Sequence, residues 1–559
     1  MRISRGGIVK VLCVVGVAIG VLGFAYVGSM IPRASSSMFA SPDETATAMF
    51  ADAFGKTGAF RISVTTPSTV RDLIALHPRS MIRQGDWLVP VGFLGMPFLA
   101  WLSNTIIPHS APFLTLLLVL SSLIPLFLLI RPMGRWAAWS SIAIYASFPT
   151  VLLYENRGLF PNLPVVAFAI WSVFLFRRAV TFDRIWKRIT LFILASLALG
   201  IASAIRPIEL VWILPWVIWA IFRRPQTTDH RPQTHVNHWT AVCGLWTIIP
   251  VLILITISFV ALSMRTYPFN STIQSQPAIG YLMKDQAQQS AIGNRQSVIS
   301  KTESRTISSV WIGIHPRTLW QNVSNLAGGL LGVWIGAAII GATWYSIRRR
   351  WTKQKTILTI LIGWTIVSLL LLYGQTVYTD NIQMTAAIGN SFLRYLLPLA
   401  PLIAIGCGLL IQTIHERMQR LGNFVAIFCL ACLVTIGIVN AVSMDAESIL
   451  PTRNEILRYQ SIRSLAEGMV PQGAIILSER NDKVFASGPF TAVSPLPDIE
   501  TLKRLSSSGV PVFFYHRIIV SAESVPLPML QSFAHHPWVT VFKAGNEGLY
   551  RIDGALPPL

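Results

Sequence analysis

The sequence predicts an α-helical polytopic membrane protein of about eleven crossings that carries a small α/β domain at its C-terminal end. Three observations predict it. Over 559 residues the chain is 53% hydrophobic and only 12% charged, with a mean hydropathy of +0.56, a balance that a soluble enzyme does not carry. Several apolar runs are long enough to cross a hydrocarbon core of about 30 Å. The net charge of +21 is divided among short connections between those runs, as the enrichment of Lys and Arg in cytoplasmic loops requires.

Ile8 to Met30, the first run, follows Arg2, Arg5 and Lys10. Its stretch from Val11 to Val27 is apolar for longer than a typical signal-peptide core, so it is read as a retained anchor with a cytoplasmic N-terminus. The cytoplasmic loops are marked by Arg131 and Arg135; by Arg177, Arg178, Arg184, Lys187 and Arg188; by Arg223 and Arg224; by Arg348, Arg349, Arg350, Lys353 and Lys355; and by Arg417 and Arg420. Threading the chain through them gives spans near 8–30, 112–130, 136–154, 161–176, 189–205, 208–222, 239–263, 326–346, 356–373, 393–412 and 423–443, with the C-terminus outside. One apolar run does not fit. Trp87 to Ile107 contains Pro90, Gly92, Gly95 and Pro97, and as a crossing it would put the Arg348 to Lys355 cluster outside, so it is read as a dipping or interfacial segment. A pI near 10.3 invites a nucleic-acid partner, but these charges flank membrane spans and no RNA-binding or helix-turn-helix pattern accompanies them. Nucleic acid is excluded as a partner on that ground; membrane lipids are the expected surroundings.

Polar material collects outside, in a first loop of residues 31–111 and a tail from about residue 444. The chain thus divides into a membrane domain, 1–445, and an extracytoplasmic domain, 446–559. In the tail, 474–477, 510–515, 539–542 and 549–552 read as strands, and 455–466 and 498–506 as helices. His535 and His536 are adjacent and point different ways, which suits a surface better than a metal site. All five cysteines, Cys13, Cys243, Cys407, Cys429 and Cys432, fall inside predicted spans, so no disulfide framework is expected outside. Nucleotide-binding and zinc-protease motifs are absent from the sequence, and the two N-x-S/T matches, Asn270 and Asn322, are too common a pattern to use.

Candidate chemistry begins in the first loop. Ser41-Pro42-Asp43-Glu44 precedes Ala46, Met49, Phe50, Ala53 and Phe54, whose spacing makes one apolar face of a helix ending near Lys56 to Gly58. Two readings stay open. Ser41 suits an N-cap, Pro42 the first helical position and Glu44 the closing member of a capping box, while Asp43 and Glu44 also stand where a lipid-borne substrate presents its head group. Further ionisable residues sit at span boundaries, where charge is costly and usually tied to a partner. Glu155 opens the turn Glu155-Asn156-Arg157 and could pair with Arg157 or face substrate. Arg206 lies in a tight turn before Pro207, and Arg394 and Tyr395 begin a span that continues to Pro398 and Pro401.

Pro42-Asp43-Glu44, the Gly85 to Pro97 segment, Ala204-Ile205-Arg206-Pro207 and Arg394-Tyr395-Leu396-Leu397-Pro398 together resemble the GT-C class of membrane glycosyltransferases. The resemblance is to the protein-mannosyltransferase and aminoarabinose-transferase branch, and covers roughly residues 1–445. It implies transfer of a sugar from a polyprenyl-phosphate donor to a glycan, lipid or protein acceptor by inverting displacement, outside the plasma (inner) membrane. Asp43 would be the general base, Glu44 would orient it or the acceptor, and Arg206 and Arg394, with Tyr395, would receive the departing phosphate. Glu155 would take the place of a second acidic motif that is usually Asp. Some relatives bind a divalent metal beside these acids; no ligand set for one can be named here. A lipid or solute transporter and an O-antigen polymerase or ligase are the rival readings, though a transporter calls for broken helices and charges at mid-bilayer. A membrane scaffold displaying its tail is the third.

Overall fold

The computed structural model describes residues 20–552 apart from 21, 36–37, 65–69, 71–76, 183, 223–237, 267–314, 349–352, 375–386, 479, 495–500, 502–503, 506, 518–537 and 545–546. The first half of the predicted 8–30 span with Cys13, the Asn270 match, the His535-His536 pair and much of the 498–506 helix lie outside those residues.

After a short helix α1 (Met30–Ala34), the first loop forms helix α2 (Pro42–Thr57), a small sheet and helix α3 (Gly95–Ile106). The sheet strands β1 (Ile62–Ser63), β2 (Met81–Gln84) and β3 (Trp87–Pro90) run antiparallel in the order β1-β3-β2. The apolar run at Trp87 to Ile107 is therefore a strand followed by a helix of 12 residues, about 18 Å long and short of a crossing.

The bundle contains α4 (Leu114–Ile130), α5 (Arg135–Ser147), α6 (Pro149–Asn156), α7 (Asn162–Ala179), α8 (Ile185–Ile205), α9 (Leu210–Phe222) and α10 (His238–Thr266). It continues through α11 (Pro316–Gln321), α12 (Gly329–Arg348), α13 (Lys353–Tyr373), α14 (Ser391–Tyr395), α15 (Ala400–Arg417) and α16 (Gln419–Ser443). Among the described residues seven helices are long and apolar enough to cross a membrane, or eight if α5 and α6 count as one span. The chain is a multi-pass membrane protein. The expected run 136–154 is not one straight helix: α5 and α6 meet at 54°, because Pro149 has no N–H to continue the ladder and disfavours helical backbone at Phe148. One further expected crossing differs from a simple span: residues 208–222 give a 3-10 turn and a helix of 13 residues. The expected 239–263 run lies within the 29-residue helix α10. A count of eleven is accordingly not established.

Small residues let the helices approach closely. At Gly341 on α12 an added Cβ would collide with the Gly406 carbonyl oxygen of α15, the close backbone packing on which helix association in lipid depends.

Helix α17 (Ile449–Met469) leads into a five-stranded mixed sheet. Its strands are β4 (Ile475–Ser478), β5 (Thr491–Val493), β6 (Val512–Arg517), β7 (Trp538–Ala544) and β8 (Glu547–Ile552), ordered β5-β4-β6-β8-β7. β4 pairs parallel to β5 and β6, and β8 pairs antiparallel to β6 and β7. Burial is continuous from the bundle, through α1 and α17, into this sheet; Ile31, Tyr154, Ile456, Tyr459, Phe485 and Tyr515 belong to one apolar core. The C-terminal sheet domain is thereby joined firmly to the membrane helices.

Candidate functional site

Helix α2 starts where its sequence says it should. Ser41 has extended backbone and its Oγ accepts from the Asp43 N–H at 3.3 Å, with Pro42 at the first helical position. Gly58 ends the helix in the left-handed region, φ 69°, where glycine carries no Cβ penalty. The apolar face does not lie bare on lipid. Phe54 stacks on Phe60 at 4.3 Å and meets Trp101 edge-on at 4.8 Å, so α2 rests on the loop sheet and α3.

The two carboxylates diverge. Asp43 is 47% exposed; its Oδ1 accepts from Ser80 Oγ at 2.5 Å, and its Oδ2 lies 3.5 Å from the Arg394 guanidinium. Glu44 turns inward at 2% exposure and receives Arg157 Nε and Nη2 at 3.3 and 3.1 Å. It closes no capping box with Ser41, because Arg157 claims it. Burial pushes the Glu44 carboxyl above its ordinary range, against the opposing pull of Arg157.

Arg394 and Arg157 share one aromatic platform, with guanidinium carbons 4.6 and 4.5 Å from the Phe160 ring centroid. Arg394 is placed by Asn390, which caps α14 by accepting from the Phe392 N–H at 2.8 Å. The preceding loop is fixed by Tyr154 Oη, which donates to the Gly389 carbonyl at 2.6 Å. Tyr395 accepts from Arg394 at 3.4 Å and stacks on Tyr373, ring centroids 4.4 Å apart and 9° from parallel. Arg206 lies over Tyr395 at 4.9 Å and donates to Tyr373 Oη at 3.1 Å. Glu209 completes the group, 3.3 Å from Arg206 and accepting from Tyr373 Oη at 2.9 Å and Trp212 Nε1 at 2.5 Å. The turn carrying Arg206 is itself held against the first loop: a Cβ on Gly95 of α3 would stand 2.5 Å from the Ile205 nitrogen.

Asp43, Arg394, Tyr395 and Arg206 thus form one contiguous constellation, although the sequence separates them by up to 352 positions. Glu44 joins it through Arg157 and Phe160. Glu155 does not. It is fully buried on α6, neither carboxylate oxygen has a hydrogen-bond partner, and Oε1 would meet a Cβ on Gly28 at 2.7 Å. Of the two readings of Glu155, the pairing with Arg157 is not formed: Glu44 holds Arg157 instead. Ser80, Phe160, Tyr373 and Glu209 are partners the sequence reading did not single out. Of these only Glu209, in the same turn as Arg206, carried a local signal.

A divalent ion fits poorly here. Asp43 is engaged by Ser80 and Arg394 and Glu44 by Arg157, and among the described residues no three His, Cys, Asp or Glu side chains cluster as a metal site. The arrangement suits proton transfer and anion binding: a half-exposed carboxylate beside the Arg394 guanidinium, with Arg206 over the Tyr395 ring that Arg394 also meets.

No family model matches the sequence, and no curated protein matches it. Similar solved structures do exist. ArnT from Cupriavidus metallidurans bound to undecaprenyl phosphate superposes with a TM-score of 0.50 at 11% identity, covering 98% of this chain and 99% of that one. The apo form of that ArnT gives 0.49 at 11% identity over 97% and 98% of the two chains. The Archaeoglobus fulgidus oligosaccharyltransferase in complex with Zn and sulfate gives 0.44 at 10% identity, over 94% of this chain and 72% of that one.

Proposed function

We propose that this chain, which has the fold of the GT-C class of membrane glycosyltransferases, moves a sugar from a polyprenyl-phosphate donor to an acceptor hydroxyl outside the plasma (inner) membrane. The observation that carries the reading is Asp43: half-exposed, steadied by Ser80 on one oxygen, and 3.5 Å from Arg394 on the other. The similar ArnT structure bound to undecaprenyl phosphate supports a lipid-phosphate donor.

In the proposed reaction the acceptor hydroxyl gives its proton to the Asp43 carboxylate as its oxygen attacks the anomeric carbon. The bond from that carbon to the phosphate oxygen breaks, and configuration inverts. General-base assistance of this kind contributes about 10² to 10⁴ in rate. The phosphate leaves with an added negative charge, which Arg394 and Arg206 receive through charge-assisted contacts. Tyr395, stacked on Tyr373 and lying under Arg206, fixes where those cations point. Glu44 acts behind this face, holding Arg157 against the Phe160 ring that Arg394 also uses. No step requires a metal.

Lipid and glycan profiling by mass spectrometry, in cells with and without the chain, tests the proposal. Loss of the chain should cause one polyprenyl-phosphate sugar to accumulate and one glycan to disappear. Identical profiles from the two cell lines would remove the activity.

A further inference from the structure

The C-terminal domain reaches into the candidate site from a distance in sequence. Between β4 and β5, Asp482 and Lys483 form a 3-10 turn that grips the two chain segments bearing Asp43 and its hydroxyl partner. Asp482 is fully buried and accepts from the Arg79 N–H at 2.7 Å and from Arg79 Nε at 2.8 Å, while Arg79 Nη2 also donates to the Arg480 carbonyl. Lys483 Nζ donates to the Ala40 carbonyl at 2.5 Å, one residue before the Ser41 cap of α2. A third tie runs alongside: the Ser494 N–H donates to the His77 carbonyl at 3.1 Å.

What is held so tightly is strained. Ser80, next to Arg79, sits at φ 62°, a left-handed conformation that costs a residue with a Cβ and persists only where its surroundings enforce it. In that conformation its Oγ points 2.5 Å from Asp43 Oδ1. Fixing Arg79 fixes the backbone of Ser80; fixing Ala40 fixes the entry of α2, on whose first turn Asp43 stands. Both ends of the Ser80 to Asp43 hydrogen bond are therefore referenced to one turn of the C-terminal domain.

We propose that Asp482 and Lys483 are positioning residues for Asp43, so that the C-terminal domain is part of the reacting unit and not an appendage to it. The proposal deepens the glycosyl-transfer reading and rests on it for its kinetic test. Misplacing a catalytic group by about 1 Å costs up to a hundredfold in rate, which sets the scale. In the full-length protein, Asp482→Asn, Lys483→Met and Ser80→Ala should each lower kcat roughly tenfold to a hundredfold while donor KM stays within about twofold. Because Asp482 acts through Arg79 and Ser80, adding Asp482→Asn to Ser80→Ala should cost little more. Lys483 acts on the other end of the bond, through Ala40, and Lys483→Arg, which keeps a donor, should restore most of the rate. Losses that multiply in the Asp482→Asn, Ser80→Ala double variant would overturn the proposal, as would tail variants with wild-type kcat. Amide deuterium exchange of residues 40–45 and 77–82 supplies a readout that does not depend on activity. Both segments should exchange faster in Asp482→Asn and Lys483→Met; unchanged exchange overturns the positioning role. Wild-type protein inactive with every polyprenyl-phosphate sugar, but showing that coupled exchange, would refute the transferase reading and leave the positioning intact.

Discussion

Replacing Arg157 by Met removes the principal cation from a carboxylate that has nowhere to go. Glu44 is 2% exposed and Arg157 12%, so water can compensate neither once its partner is gone. Breaking a buried ion pair from one side costs about 3–5 kcal/mol, chiefly because the remaining charge stays desolvated. Arg157→Met should fall in that range at neutral pH, while Glu44→Gln with Arg157→Met together should lose about 2–3 kcal/mol less than the sum of the single changes. The pH dependence follows from the direction of the Glu44 shift. Burial raises this carboxyl above 4.5, against Arg157; without Arg157 the opposing pull is lost and it rises further. A carboxyl whose pKa is higher folded than unfolded binds protons on folding. Its favourable contribution is complete below the unfolded value and is lost as pH rises through the folded one. The penalty of Arg157→Met should therefore be smallest near pH 4.5 and below, and should grow toward neutrality. Unfolding of detergent-solubilised protein across that range measures it. A cost under about 1 kcal/mol at pH 7, the scale of an exposed pair, or a cost independent of pH, would refute the argument that Glu44 is an ionised, buried partner of Arg157.

Other perturbations probe the scaffold and the cations. Gly95→Ala forces a Cβ against the Ala204 and Ile205 backbone, whereas Gly92→Ala meets nothing within 4 Å. The first should cost at least about 1–3 kcal/mol and weaken donor use through the Arg206 turn; equal stability of the two variants in thermal unfolding would contradict the packing. Arg206→Gln and Arg394→Gln should each impair use of a polyprenyl-phosphate donor, and Lys should rescue donor use only partly because it lacks the planar fork. Arg394→Gln, whose partner Asp43 is half-exposed, should do so with folding retained, whereas Arg206→Gln should also lose stability because it leaves the buried Glu209 without its cation. Unchanged donor kinetics in both variants would remove them from the phosphate site. Ser41→Ala should cost about 1 kcal/mol of helix stability and leave most turnover intact in the same transfer assay.

Long apolar runs and clustered Arg and Lys made the membrane class legible in the sequence, since both signals are local and additive. The start and end of α2 were legible for the same reason: Ser41, Pro42 and Gly58 act on their immediate neighbours. The break between α5 and α6 was written in Phe148-Pro149 but concealed by the apolar run around it. Strand β5, three residues long, is too short for alternation to declare itself. The site partners divide the same way. Arg206, Arg394 and Tyr395 stood out as charges and rings at span ends, and folding joins them in a chain that ends on Asp43 through Arg394. Pairing was not legible. Arg157 is two residues from Glu155 but bonds Glu44 across 113 positions, and Asp482 meets Arg79 across 403, because tertiary packing and not chain proximity decides which buried charge is compensated.

Purified protein in lipid vesicles, given a labelled polyprenyl-phosphate sugar and an acceptor extract, allows the central claim to be read from one substitution. Asp43→Asn preserves size and the Ser41 cap, whose contact is with the residue 43 N–H, but cannot take the acceptor's proton. The account predicts transfer slower by roughly two orders of magnitude or more, the scale of a general base, with stability close to wild type. Transfer by Asp43→Asn at the wild-type rate would contradict it.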